Sequence, residues 1–562
     1  MMGYLVFFVL VSFSLAEPVW NGQFWSRSSR QILPSEKKRV LIGIALKPGS
    51  LAACDNALTR LHDPSSPPKP HWSFEETGET FRNRAAEARV LAWVRGAGFR
   101  ESELRLSPNG EFLRVTGSVE RIEALLGCSF SAFVSKTEND RVEILRDLNW
   151  SLPEKLRELI DFVDGVDLLP TPRSVVMGKL KKKSARQGGN SLTPGLLMQV
   201  YNISGTVTNP KATQSVFESL GQSFALSDVA SFTSQYGLLF PQINVVGPNN
   251  PSECSSNADN CAEASLDVQW ITAVAQNATT WFWSVKSIVF EDMFVEFVEA
   301  LASNASAPLV HSISYGSLAP ETLKFNVERF NTETCKLGLR GITLVVASGD
   351  DGVANFWARS DPLVCLFSPF TPSFPATSPY VLSVGATQGP ENAQPEVACM
   401  PSTSIITTGG GFSTRSPRPS YQASVVDTYL KTAPALPPLS KFASANRAYP
   451  DVAALGNNFA VIIGGQMYQV SGTSCAAPVV AGMLTLINNA RLNAGKPAVG
   501  FVNPAVYAAP SSCFNDITVG RNNCAAGGSV CCKYGFNATA GFDPLTGLGS
   551  IHFDKFFDYM MK

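Results

Sequence analysis

The stretch "VSGTSCAAP", residues 470 to 478, sets Ser474 among small residues, with Gly472 two before it and Pro478 four after it. This spacing suits a serine-nucleophile turn, and such a serine needs a base, ordinarily histidine. The chain holds four histidines, His62, His71, His311 and His552, and none stands in the His-Gly-Thr context such a base would occupy. "AEASLDVQWITAVA" (262–275) has helical periodicity and puts Glu263 and Asp267 four residues apart on one face. Like charges at that spacing repel when exposed, so the pair is either a solvated acidic face or a carboxyl pair put to use. "GITLVVASGD" (341–350) runs an apolar strand into a polar turn at Asp350, which is either a capping residue or a further carboxyl group for the site. A carboxyl pair in contact holds together best when it shares one proton. A carboxylate with a pKa of about 4 is a usable base only in acid. Both demands point to low pH.

The elements around these residues sort into two regions. "RVLIGIAL" (39–46) reads as a buried strand. "TFRNRAAEARVLAWVRGAG" (80–98) reads as a helix with Ala85, Ala88, Leu91, Ala92 and Val94 on its apolar side. "EFLRVTGSVERIEALLG" (111–127) reads as a strand, a turn at Gly117 and a second helix, so that a compact α+β domain ends near Pro172. The basic, polar stretch "MGKLKKKSARQGGNS" (177–191) is an exposed linker. Beyond it, apolar strands alternate with helical stretches: 341–350, "SPYVLSVGAT" (378–387) and "FAVIIGG" (459–465). Continuous apolar strands belong to parallel sheets covered on both faces. Chemistry collects at the carboxyl ends of such strands, where Asp350 and Ser474 fall.

Composition narrows the function. The 562 residues carry a net charge of −1, which gives no electrostatic case for nucleic acid or an anionic membrane surface. "MMGYLVFFVLVSFSLA" (1–16) is shorter than the ~20 residues a bilayer span needs and ends in small residues, as a signal peptide does. A secreted route without a membrane anchor is expected. Sequons at Asn149, Asn202, Asn277, Asn304 and Asn537 fit that route. Twelve cysteines then imply disulfides. Cys254 and Cys261 could close the loop between them. Cys513, Cys524, Cys531 and Cys532 cluster without the spacer that zinc ligands favour, and their connectivity stays open.

The motifs together resemble the sedolisins, the serine-carboxyl peptidases. "EASLD" (263–267), "SGDDG" (348–352), "SGTSCAAP" (471–478), "NDITVGRN" (515–522) and "GFDPLTGLG" (541–549) match family motifs in order, and "DPSSP" (63–67) with "FLRVTGSVERIEALLG" matches the family propeptide. "HSISYG" (311–316), "FPATSPYVLSVGAT" (374–387) and "GGGFS" (409–413) are most similar to the lysosomal tripeptidyl-peptidase branch. The resemblance implies an α/β fold: a subtilisin-like catalytic domain (192–562) with a mostly parallel sheet flanked by helices. Before it would come a signal peptide (1–16), a ferredoxin-like α+β prodomain (17–176) and a cleavable linker (177–191). It implies Ser474 as nucleophile, Glu263 as base, Asp267 as the partner that orients Glu263, and Asp350 as oxyanion donor. It implies one structural Ca²⁺ held by carboxylates of Asp516 and Asp543 and carbonyls of Ile517, Thr539 and Gly541. The expected product is a self-activating acid peptidase, inhibited by its own prodomain, that releases tripeptides from polypeptides with a free N-terminus in the lysosome or outside the cell. An acid endopeptidase and a catalytically silent binding paralogue are the alternatives.

Overall fold

The computed structural model describes residues 25–28, 39–135, 143–167, 169, 181–182, 191–285, 293–316, 324–359, 363–367, 369–528 and 530–562. The expected signal segment 1–16 and most of the expected linker 177–191 lie outside these residues.

The N-terminal region is built from β1 (Arg39–Leu46), α1 (Leu51–Leu61), α2 (Arg84–Gly96), β2 (Leu104–Leu106), β3 (Phe112–Ser118), α3 (Val119–Leu126) and β4 (Ile160–Asp164). Its antiparallel sheet has the order β2-β3-β1-β4. With α2 and α3 as its two crossing helices, this is the β-α-β-β-α-β arrangement of a ferredoxin-like domain. Two local expectations need correction. The buried side of α2 runs through Ala86, Val90 and Val94, while Ala85, Ala88 and Ala92 are exposed. Valine offers more apolar surface than alanine, so the i, i+4, i+8 stripe that contains two valines turns inward. Gly117 lies within β3 rather than in a turn, because α3 follows the strand directly. A Cβ there would come within 2.6 Å of the Phe99 ring, so close packing excludes a side chain.

The larger region contains, in chain order, β5 (Gln214–Glu218), β6 (Ile243–Val246), α4 (Ala262–Val274), β7 (Thr280–Ser284), α5 (Met293–Ala302), β8 (Val310–Ile313), α6 (Lys324–Leu339), β9 (Thr343–Ala347), β10 (Leu382–Gln388), β11 (Val452–Leu455), β12 (Phe459–Ile463), β13 (Gln466–Val470), α7 (Thr473–Asn493), β14 (Phe514–Asn515) and β15 (Ser550–Ile551). The central sheet has the order β6-β7-β5-β8-β9-β10-β11-β15-β14, parallel from β6 through β15. Every residue of β5, β9 and β10 is buried, as unbroken apolar strands covered on both faces require. Helix α4 is buried along its whole length and packs against α7. Helix α7 is long and apolar enough to cross a membrane by composition, yet 83% of its apolar window is buried inside the fold, as a core helix is. "FAVIIGG" departs from expectation. It forms β12, which pairs antiparallel with β13 outside the parallel sheet. Its apolar faces are covered by α4, with Phe459 against Trp270 at 4.2 Å between ring centroids.

Disulfides join Cys254–Cys261, Cys524–Cys531, Cys365–Cys532 and Cys54–Cys335. The first closes the loop entering α4. The next two take up three cysteines of the C-terminal cluster, whereas Cys513 remains a buried thiol.

Candidate active site

Three neighbouring parallel strands end at one place. Glu218 is the last residue of β5, Ser314 and Tyr315 follow β8, and Asp350 follows the turn after β9. That turn needs Gly349, whose φ of +107° lies where L side chains are strained. The first two turns of α4 and the first turn of α7 bring Glu263, Asp267 and Ser474 to the same region. Glu263 is 1% exposed, and Asp267, Asp350 and Ser474 are 0% exposed. The Cys254–Cys261 bridge and the Gln222 side chain fix the start of α4, where Gln222 Oε1 accepts from Glu263 N at 3.1 Å.

Ser314 stitches the serine to the acid pair. Its hydroxyl donates to Asp267 Oδ1 at 2.9 Å, and its carbonyl accepts from Ser474 Oγ at 3.2 Å. Asp350 Oδ1 accepts from Thr473 N at 2.7 Å and Thr473 Oγ1 at 2.9 Å, one residue before Ser474. Its other oxygen, Oδ2, is buried without a hydrogen-bond partner among the described residues. The charges of Glu263, Asp350 and Asp267 each act on the Cys475 thiol, next to Ser474. Burial, reinforced by these charges, pushes that thiol up, so Cys475 is a neutral core residue rather than a reactive one.

The electrostatics favour protonated acids. Burial, followed by the charge of Glu218, raises Asp267 well above the usual carboxyl range, against the opposing Ser314 hydrogen bond. Burial raises Asp350 to about 7, assisted by Asp351 and opposed chiefly by the Thr473 N–H. The adjacent Asp351 is instead held by Arg359 through contacts of 2.6 Å to each oxygen.

Glu218 and Tyr315 were not singled out from the sequence. Glu218 is fully buried, accepts from Tyr315 Oη at 2.6 Å through Oε2, and is raised by burial first and by Glu263 second. It makes a third carboxyl beside the pair. The available signal was an acid at the end of the apolar strand "QSVF", where burying an unpaired charge is costly. The histidines are placed elsewhere. His311 is buried against Ser215 Oγ and Pro308 O, His552 precedes the C-terminal helix, and His62 and His71 belong to the N-terminal region.

Four of the five expected calcium ligands meet in two pairs. Asp516 Oδ2 accepts from Gly541 N at 2.9 Å. Buried Asp543 accepts from Thr539 N at 3.1 Å and from Leu545 N and Thr546 N at 2.9 Å. Thr539 has no positive φ, so the side chain there is unstrained. Among the described residues no group of three or more His, Cys, Asp or Glu is positioned to hold a metal. A cation here would rest on two carboxylates and backbone carbonyls, an all-oxygen set that fits Ca²⁺.

Residues 26–169 match the family model of the Pro-kumamolisin activation domain, and residues 267–521 match the Subtilase family. The chain is 32% identical to physarolisin of Physarum polycephalum over 575 residues, covering 94% of this chain and 95% of that protein. It is 33% identical to tripeptidyl-peptidase 1 of Canis lupus familiaris over 520 residues, covering 89% and 88%. The solved Pseudomonas sedolisin, a serine-carboxyl proteinase, matches with a TM-score of 0.51 at 22% identity over 66% of this chain and 99% of that one. At that identity the likeness speaks for the fold, a subtilisin-like α/β domain.

Proposed function

Because this chain belongs to the sedolisin family of serine peptidases and carries its activation domain, we propose that it is an acid tripeptidyl-peptidase with a carboxyl base. The observation that carries this reading is the buried set of Glu218, Glu263, Asp267 and Asp350 around the start of α7, with all four histidines elsewhere.

Ser474 Oγ attacks the scissile carbonyl while its proton passes to Glu263, which Asp267 orients. Ser314 aligns the two elements by bonding to both. Protonated Asp350 donates to the oxyanion from its free oxygen, and the first turn of α7 adds its dipole. Glu263 returns the proton to the leaving amine. Water then attacks the acyl-serine ester and frees the product. Asp516, Ile517, Thr539, Gly541 and Asp543 would hold Ca²⁺, which ties the 516–517 and 539–543 segments together when bound.

Release of tripeptides from a free N-terminus rests on similarity to tripeptidyl-peptidase 1. Processed enzyme freed of its N-terminal domain, given a peptide and its N-acetylated twin, tests it. Three-residue products from the free peptide alone are expected. Internal cuts in both would make the protein an endopeptidase, and no cuts after full processing would favour the silent paralogue.

The N-terminal domain, residues 17–176 in this reading, acts as the inhibitor, and protonation of its His62 and His71 weakens docking in acid. The domain docks on α6, where Glu111 accepts from Arg329 at 2.8 Å and Lys336 at 2.5 Å, and on α5, where Arg114 pairs with Glu299 at 2.9 Å. At the same face neutral His62 accepts from Phe501 N at 3.1 Å through Nε2, and stacks on His71 at 5.4 Å. Burial, then the neighbouring ring, lowers His62 from 6.5 to about 3, and burial, then Arg491, lowers His71 to about 4. Such histidines stabilise docking fully above 6.5 and lose that contribution as pH falls below it. Protonated His62 would point a donor at the Phe501 N–H. His62→Gln keeps an acceptor that does not titrate. It should shift the acid midpoint of self-cleavage down by about 0.5 pH unit, read on gels across a pH series. Cleavage falls in the 177–191 linker, and the natural setting is an acidic compartment such as the lysosome.

A further inference from the structure

One disulfide crosses the boundary that activation must break. Cys54 sits on α1 of the activation domain and Cys335 on α6 of the catalytic domain, with Cα atoms 6.2 Å apart and both residues 0% exposed. The separation lies within the range a disulfide spans without backbone movement. The two helices pack on each other, and Leu58, Phe81, Leu339 and Phe501 enclose the sulfurs. Polar contacts flank the bridge: Trp72 N donates to Leu339 O at 2.9 Å, and Tyr380 Oη donates to Asp55 Oδ1 at 3.1 Å.

The bridge closes a loop of 281 residues, and residues 177–191 lie inside it. A cut in the linker therefore divides the chain without separating the domains. We infer that self-cleavage yields a two-chain, disulfide-joined molecule whose activation domain stays tethered over the catalytic domain, and that release requires a thiol or phosphine reductant as well as acid. This rests on the reading of residues 177–191 as the cleaved linker.

The chemistry supports two separate locks. Acid cannot open the bridge, because exchange needs a thiolate, and a thiol with a pKa of about 8.5 is only about one part in 10⁴ ionised near pH 4.5. The buried sulfurs also lack an approach path while α1 and α6 stay packed. Reduction transfers two electrons. Two thiols become one disulfide and leave Cys54 and Cys335 as thiols, or a phosphine takes oxygen from water, becomes the phosphine oxide and leaves the same two thiols. Until then the tether holds the inhibitor at an effective concentration of about 1 mM. Even a weakly docking domain would keep reoccupying its site.

The experiment uses full-length proform purified without reductant, brought to pH 4, blocked with a maleimide and run on paired reducing and non-reducing gels. The expected result is two bands under reduction and one full-mass band without it. A water-soluble phosphine at pH 4 should raise peptidase activity about tenfold or more. Cys54→Ala/Cys335→Ala should reach that activity on acid alone and gain nothing from the phosphine. Separation of the wild-type chains without reductant would overturn the inference. If acid makes no cut, the self-cleavage reading fails, and brief tryptic nicking of 177–191 supplies the cut for the same gel pair. If the double variant does not fold, peptide mapping of the wild type decides: a linked Cys54–Cys335 peptide pair supports the tether, and maleimide on both thiols contradicts it.

Discussion

Ser474→Ala should lower kcat/KM on a peptide substrate by on the order of 10⁵-fold, and its proform should remain one chain at pH 4 because self-cleavage needs the same hydroxyl. Glu263→Gln should cost a similar factor, since the amide cannot take the serine proton. The double variant should be no worse than either single one, because nucleophile and base act as a unit and their losses do not multiply. Ser474 and Glu263 lie on the first turns of two packed, buried helices, so both substitutions leave the core volume nearly unchanged. Matching thermal melts would separate a chemical loss from a folding one. Losses that multiply in the double variant would mean that Glu263 works independently of Ser474.

Asp350 should divide cleanly between two substitutions. Asp350→Ala removes the donor and should cost about 10² to 10³-fold in kcat. Asp350→Asn keeps an N–H donor that does not titrate. In the wild type the carboxyl, raised from 3.8 to about 7, carries its proton throughout the acid range and loses it as pH climbs through 7. Activity that depends on that proton falls over the same interval. Asp350→Asn should therefore be less active than wild type at pH 4 but should lose this alkaline limb. Stability follows the same sign. A carboxyl whose pKa is raised in the fold contributes stability at low pH that disappears as pH rises from 3.8 toward 7. The melting temperature of the wild type should fall over that span more steeply than that of Asp350→Asn. Parallel pH profiles in the two proteins would remove Asp350 from the oxyanion role.

What could be read from the sequence was local or carried by order. The apolar strand at 39–46, the helix from 262, the strand before Asp350 and the disulfide closing 254–261 each depend on neighbouring residues, and each is found where expected. The order of the motifs was enough to place the chain in its family. What escaped depends on partners distant in the chain. Nothing near Glu218 tells that Tyr315, 97 residues later, donates to it. Nothing near Cys54 points to Cys335. The buried side of α2 is not legible in the sequence because periodicity fixes the angle between residues but not which of two apolar stripes faces the sheet. Gly117 carried a turn signal that a strand needing room for Phe99 also produces. The β12 strand shows that an unbroken apolar run announces burial, not parallel pairing.

The most direct test of a carboxyl-assisted serine is to trap it. Enzyme processed at pH 4 and freed of its activation domain would be treated with a serine-reactive fluorophosphonate at pH 4.5 and at pH 8, digested and mapped by mass spectrometry. The adduct should lie on Ser474, form readily at pH 4.5, be much reduced at pH 8 and be nearly absent in Glu263→Gln. An adduct on another residue, or labelling of Ser474 that is equally fast in Glu263→Gln, would contradict the account.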